Sequence, residues 1–148
     1  MIILRKFTLK DYEELVDMYY SFCIEIYSDR KIGYKYSFYK AVDSWIQKKN
    51  DIILAVDGDA IVGFSMCYVD NMDGLTEPVY NADMAYVKEE YRKSRAGYLL
   101  FKNGYDYAND IGLKLVSLGR VENGVDKMIE KHFDLKKKYI MFEGVSNG

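Results

Sequence analysis

The sequence is poor in the residues that most often announce chemistry or interrupt a chain. Among 148 residues it has one histidine, one proline and two cysteines. A single histidine, His132, excludes any multi-histidine metal site. Cys23 and Cys67 have no partner nearby in the sequence, which argues against a disulfide scaffold and a cysteine-rich zinc site alike. No metal is expected. Both cysteines lie in apolar stretches and read as buried, inert thiols. No apolar run approaches the roughly 18–20 residues of a membrane span. No signal peptide is legible, and two stray thiols suit the reducing cytoplasm. With Pro78 alone and no Ser/Gly-rich, low-complexity or repeated stretch, there is no linker, and residues 1–148 read as one domain. A charge excess is missing too. The 21 basic and 23 acidic side chains give a formal net charge of −2. No global field favours nucleic acid or an anionic membrane, so any basic function is local.

What is present is a single-domain length and a globular composition, with 15 tyrosines. Most of these read as core or rim residues, since a phenol can bury its ring and keep its hydroxyl wet. Met1–Phe7 reads as a strand, and Thr8 followed by Asp11 as a capped helix start. Tyr12, Leu15, Val16, Tyr19, Phe22, Cys23 and Ile26 recur at helical spacing, as do Phe38, Ala41, Val42, Trp45 and Ile46. Lys48 and Lys49 follow the second helix, where cations complement its dipole. Two apolar runs flank Asp57-Gly58-Asp59, a hairpin signal. An acidic loop over Asp70–Pro78 precedes a strand over Val79–Val87. A helix with Gly97, Leu100, Phe101, Gly104, Ala108 and Ile111 on one face stops at Gly112. A strand (Lys114–Val121), a short helix (Val125–Phe133) and a last strand (Tyr139–Val145) complete the chain. The order β-α-α-β-β-β-α-β-α-β predicts an α/β (α+β) fold, with a mixed, mostly antiparallel sheet flanked by helices on both faces.

Between the Val79–Val87 strand and the next helix lies "YRKSRAG", Tyr91 to Gly97. A helix N-terminus offers unpaired N–H groups and partial positive charge. Gly97 leaves its backbone approachable, and Arg92, Lys93 and Arg95 add charge. These features compose an anion seat, although spacing alone reads equally well as a solvated turn. The spacing matches neither a nucleotide-hydrolase P-loop nor a dinucleotide fingerprint.

"VKEEYRKSRAG" resembles the coenzyme A pyrophosphate loop of the GNAT N-acetyltransferase superfamily, Val-x-x-x-Tyr-(Arg/Gln)-x-x-Gly-x-(Gly/Ala). Val87, Tyr91, Arg92 and Gly97 fall on the pattern, and Arg95 stands where the first glycine is usual. "VDGDAIVGF" resembles the family's hairpin, and "RVENGVDKMIEKHFDL" its Asn-x-x-Ala…Tyr…Gly-Phe segment, with Asn123 on the asparagine, Asp126 on the alanine and Leu135 on the aromatic. The order of elements matches over nearly the whole chain.

The resemblance implies acetyl transfer from acetyl-CoA to a primary amine of a small molecule or protein, by direct attack on the thioester. It places the pantetheine arm along the backbone of Ala85, Tyr86 and Val87. The pyrophosphate falls on Arg92, Lys93, Ser94, Arg95, Ala96, Gly97 and Tyr98, mostly through main-chain N–H groups, and Asn123 lies near the arm or thioester. Glu130 aligns with the tyrosine that protonates the leaving thiolate in the family. A glutamate of ordinary pKa is ionised at neutral pH, so burial would have to raise Glu130, or a nearby tyrosine or water would have to serve. Otherwise the protein is a poor catalyst that binds CoA or a protein partner without turnover. For the base, Asp83 is the candidate beside a water relay, because period-two alternation gives it the facing of Asn81, Ala85 and Val87. His132 sits on the apolar side of its helix and reads as a packed residue before an acid–base group. Asp70, Asp73 and Glu77 either attract a cationic amine or form an ordinary solvated loop. Trp45, Tyr34, Tyr36 and Tyr39 either line the acceptor cleft or pack the core. Many proteins of such a family dimerise, so a homodimer is among the expectations.

Overall fold

A computed structural model describes residues 1–26, 33–72, 74–117, 125–133 and 135. The chain forms two compact units, Met1–Leu118 and Gly119–Gly148. In the first, strands β1 (Ile2–Lys6), β2 (Asp51–Asp57), β3 (Ala60–Asp70), β4 (Val79–Val87) and β5 (Lys114–Ser117) lie in that order in one sheet. All neighbours are antiparallel except β4 and β5, which are parallel. Helices α1 (Tyr12–Ile26), α2 (Tyr34–Ile46) and α3 (Ala96–Asp110) complete this unit, and α4 (Val125–His132) belongs to the second.

The sheet divides its side chains between two faces, as the period of a strand requires. On one face Ile52, Leu54, Val56, Ile61, Phe64 and Met66 pack with Leu15, Met18, Tyr19 and Cys23 of α1 and Phe38 and Val42 of α2. The α1 contribution recurs every three to four residues, so one stripe of the helix is buried. Leu15, Phe38 and Phe64 are fully buried, each contributing roughly 1.5–3 kcal/mol of transfer free energy. On the other face Ala55 and Val62 pack with Ala96 and Leu100 of α3. The expected helices on both faces are therefore present.

Local chemistry sets the boundaries. The β2–β3 hairpin turns on Gly58 and Asp59, and of these only Gly58 has a positive φ, +61°. A glycine first and a left-handed residue only there is the type II′ pattern. A short 3-10 turn, Leu9–Asp11, precedes α1, and Asp11 accepts from the main chain and hydroxyl of Thr8. The second helix starts at Tyr34, earlier than its apolar repeat indicates. It ends in a Schellman motif: Lys48 N–H reaches Trp45 O and Lys49 N–H reaches Ser44 O, with Lys48 at φ +59°. Gly112 stops α3 at φ +73°. Among the described residues no helix is long and apolar enough to cross a membrane. The expected last strand, the far end of the Lys114–Val121 strand and Asn123 lie outside the described residues.

Candidate functional site

The site forms where β4 gives way to α3. Residues on β4 pair with β3 along its length, but the register shifts between Met66 and Cys67: Met66 faces Met84, and Cys67 faces Ala82. Asp83 is the extra residue, a β-bulge. The bulge overturns the alternation expected from the sequence. Tyr80 packs at a tilt against Tyr107 of α3, which turns Asn81 to the α1 side, where its Nδ2 donates to Tyr68 Oη (3.2 Å). Val87, beyond the bulge, packs on the α3 side. Asn81 and Val87 thus share no face, because an extra residue resets the parity.

The bulge gathers polar groups. Asn81 Nδ2 also lies 3.4 Å from Asp70 Oδ2, and Asp83 is exposed. Burial, then the charges of Asp83 and Asp70, hold the Tyr68 phenol above its ordinary pKa. Neighbouring Cys67 is buried and its thiol is pushed up to about 12, first by burial, so it is no nucleophile near neutral pH. The acidic loop therefore contributes one residue here, Asp70; Glu77 is exposed, and Asp73 lies outside the described residues.

The outer edge of β4 is covered unevenly. Strand β5 pairs with Val79–Ala82, and no described residue pairs with that edge from Asp83 to Val87. Lys88 N–H turns to Val62 O on β3 (2.9 Å). By antiparallel alternation the main chains of Ala85 and Val87 then point outward to that edge, and that of Tyr86 points to β3. The Tyr86 ring packs on the α1 side against Phe22 and Phe64.

The chain then makes a 3-10 turn, Glu89–Tyr91, pinned by Tyr91 Oη on Asp57 Oδ2 (3.3 Å) and Tyr91 N–H on Lys88 O (2.8 Å). Ser94 N–H donates to Tyr91 O, and Ser94 Oγ accepts from Ala96 N–H (3.2 Å). The first hydrogen bond inside α3 is Leu99 N–H to Arg95 O (2.9 Å), so the N–H groups of its first turn have no acceptor within the helix. Lys93, Ser94 and Arg95 are exposed around them. Arg95 has φ −80° and ψ 0°, a backbone open to any residue, and its guanidinium lies over the Tyr98 ring. Arginine in place of the usual glycine therefore does not strain the turn. A Cβ on Gly97 would meet only Val87 Cγ2, at 3.9 Å. The protein's own packing does not demand glycine there.

Arg92 is engaged within the protein. Its Nε donates to Val87 O (3.0 Å), its Nη2 to Glu25 Oε2 on α1 (2.5 Å), and its guanidinium lies over the Tyr86 ring. Beside it, a cleft of about 250 Å³ runs between α1 and the end of β4, lined by Glu14, Asp17, Met18, Ser21, Tyr86 and Lys88. A second cleft of about 270 Å³ opens at the other end of β2, by Asp51, Lys6 and Trp45.

A family model described as Acetyltransferase (GNAT) family matches residues 12–131. The chain belongs to this family. The GNAT match runs across both compact units. Solved structures agree in fold. A predicted acetyltransferase from Clostridium acetobutylicum, solved with acetyl-CoA, superposes with a TM-score of 0.76 at 13% identity, covering 97% of this chain and 96% of its own. A ribosomal-protein-alanine N-acetyltransferase from Brucella melitensis biovar Abortus 2308 gives 0.69 at 18% identity, over 96% and 100%. An aminoglycoside acetyltransferase from an uncultured soil metagenomic sample, solved with sisomicin, gives 0.69 at 12%, over 99% and 97%. No curated protein sequence matches the chain.

Within this GNAT fold, Ala85, Tyr86, Val87 and the residues from Arg92 to Tyr98 stand together, and Asp83 stands at the bulge two residues before Ala85. Glu130 and His132 are exposed on α4, so His132 is not the packed residue its apolar helix side suggests. Trp45 is half-buried, packed against the core edge-on to Phe7 and bordering the second cleft, and Tyr39 is exposed; the side chains of Tyr34 and Tyr36 lie outside the described residues. Sequence reading missed Glu25 and Tyr68. Glu25 is 67 positions from Arg92, and no periodicity signals such a pair.

Proposed function

We propose that this chain, as a single GNAT-like domain, is an N-acetyltransferase that moves the acetyl group of acetyl-CoA to a primary amine. The observation that carries the reading is the end of β4, where no described residue pairs with the outer edge, running directly into the N-terminus of α3. An extended pantetheine arm can add to the Ala85–Val87 edge as a strand does, using the outward main chains of Ala85 and Val87. Two phosphates then fall at the first turn of α3, whose N–H groups have no acceptor within the helix, with Lys93 and Arg95 beside them. The bare face of Gly97 gives them room.

For the chemistry, a neutral amine attacks the thioester carbonyl, its proton passes to Asp83 directly or through water, and the thiolate leaves with a proton. Glu130 is exposed and so lacks the burial that this donation would require, which leaves water or a nearby tyrosine as the donor; by position in the sequence alone, Asn123 belongs with the thioester. Tyr68, which the bulge places near Asp83, keeps its own proton well above neutral pH. The acceptor is a primary amine of a small molecule or protein. Similar folds include an aminoglycoside acetyltransferase and a ribosomal-protein-alanine acetyltransferase, so both acceptor classes belong in a screen.

Calorimetric titration with acetyl-CoA and dephospho-CoA tests the seat. Micromolar binding by the wild type, lost in Gly97→Glu, supports it; equal affinity in the two proteins refutes it. Thiol release across the amine panel then separates a turning enzyme from a protein that binds CoA without turnover.

A further inference from the structure

Arg92 has two demands on it. By position it belongs to the phosphate-binding turn, yet its guanidinium is already spent on a carboxylate. Glu25 holds it from α1, Val87 O holds its Nε, and the Tyr86 ring lies beneath it. The side chain therefore crosses the end of the outer β4 edge, from the outward Val87 carbonyl to the α1 side of the sheet. Glu14, Met18, Ser21 and Glu25 recur at intervals of three and four along α1, one stripe of the helix. The first three line the cleft beside Tyr86 and Lys88, and the ion pair stands at the stripe's far end.

We propose that Glu25 is an internal stand-in for the ligand's phosphate: it holds Arg92 across the β4 edge, and binding exchanges the carboxylate for a pyrophosphate oxygen. This rests on the reading of the turn as a coenzyme A seat. The physical basis is the equivalence of partners. A guanidinium fork donates to carboxylate and phosphate alike, and phosphate offers more charge and more acceptor oxygens. Both members of the pair are about 40% exposed, with side-chain accessibilities of 42% and 41%, so the bond to be broken is modest and the exchange is open to solvent. Release of Arg92 also returns the Val87 carbonyl to the edge on which an extended arm would pair. Glu25 is thus a positioning residue, acting on the ligand through Arg92.

The sign of one substitution tests this. If Glu25 competes with phosphate, Glu25→Gln binds acetyl-CoA more tightly, by about two- to five-fold, the worth of an exposed ion pair. If Glu25 instead holds Arg92 in a productive pose, the same substitution weakens binding. Removing any nearby negative charge favours an anion somewhat, so Glu89→Gln is the control. Glu89 is exposed and its side chain acts on the Arg92 guanidinium through charge, while the main-chain bond from Arg92 N–H to Glu89 O is untouched by the substitution. The experiment is calorimetric titration of wild type, Glu25→Gln and Glu89→Gln with acetyl-CoA at one ionic strength, with circular dichroism to confirm that each is folded. A tightening in Glu25→Gln that exceeds that in Glu89→Gln supports the exchange. Equal gains, no gain or a loss in Glu25→Gln overturns it and leaves the coenzyme A reading standing. Absence of binding by the wild type overturns both.

Discussion

At the scale of single residues, two side chains carry stability effects with a calculable sign. Asp11 is buried and accepts both nitrogens of Arg5 (2.8 and 2.7 Å) and the main-chain N–H of Thr8 (2.9 Å). The hydrogen bond from Arg5 is the largest cause holding its pKa down, to about 2 against an ordinary 3.8. A carboxylate whose folded pKa is depressed stabilises the fold above its unfolded pKa and loses that contribution as pH falls through the folded value. The Asp11 contribution, on the order of 2 kcal/mol, is therefore complete above about pH 4 and disappears toward pH 2. Urea unfolding of wild type and Asp11→Asn across that window checks this: the two curves should converge with acidification, and a constant gap would contradict it. Lys48 carries the opposite sign. It occupies the left-handed C′ position of α2 at φ +59°, where a Cβ is strained and glycine is not. Lys48→Gly should stabilise the protein by about 1 kcal/mol despite removing a side chain. A lower denaturation midpoint would show that the lysine makes compensating contacts.

At the scale of elements, two glycines predict opposite outcomes for the same substitution. A Cβ on Gly63 would stand 2.7 Å from the main-chain oxygen of Tyr86 and 3.3 Å from Leu100. Backbone cannot yield cheaply there, so Gly63→Ala should cost about 1–3 kcal/mol by overpacking the junction of β3, β4 and α3. Gly104 lies inside α3, and its Cβ would meet Cys67 Sγ at an ordinary 3.6 Å. Gly104→Ala should gain about 0.5–1 kcal/mol through helix propensity and a less flexible unfolded chain. Denaturation midpoints of the two variants decide both, and a loss in each would mean that the α3 contact has no slack. The elements were also where the sequence was most readable. Apolar spacing marked α1 and α3, Gly58 marked the β2–β3 turn, Gly112 marked the stop of α3, and the basic turn fell at the start of a helix. What spacing could not reveal was the bulge at Asp83. An inserted residue leaves no mark in composition, yet it moved Asn81 off the face of Ala85 and Val87 and brought Tyr68, Asn81, Asp70 and Asp83 together. Long-range pairs such as Glu25 with Arg92 and Tyr80 with Asp51 (2.7 Å) were hidden for the same reason. They depend on which strands and helices become neighbours, which no local pattern encodes.

At the scale of the whole molecule, a chain with net charge −2 is proposed to bind an anion. The two facts are compatible because screening makes the problem local. At physiological ionic strength charges farther away than about 8 Å are largely screened, so a phosphate at the α3 N-terminus responds to Lys93, Arg95 and the helix amides and hardly to the distant acidic surface. Binding at that one place still reports on the entire fold, since a ligand that binds only the native state stabilises it by mass action. At a hundred times its dissociation constant, acetyl-CoA should add about 2.7 kcal/mol, which for a chain of this size raises the melting temperature by roughly 5–10 °C. Gly97→Glu sets the control, because a Cβ there meets only an ordinary contact with Val87 and the proposal puts the added carboxylate where the phosphates would sit. The variant should melt near the wild-type temperature without ligand and show no shift with it. Equal shifts in both proteins would locate binding away from the α3 N-terminus and remove the observation on which the proposed acetyl transfer rests. A variant that melts early without ligand would instead show that the turn around Gly97 is part of the fold's own support, against its open geometry.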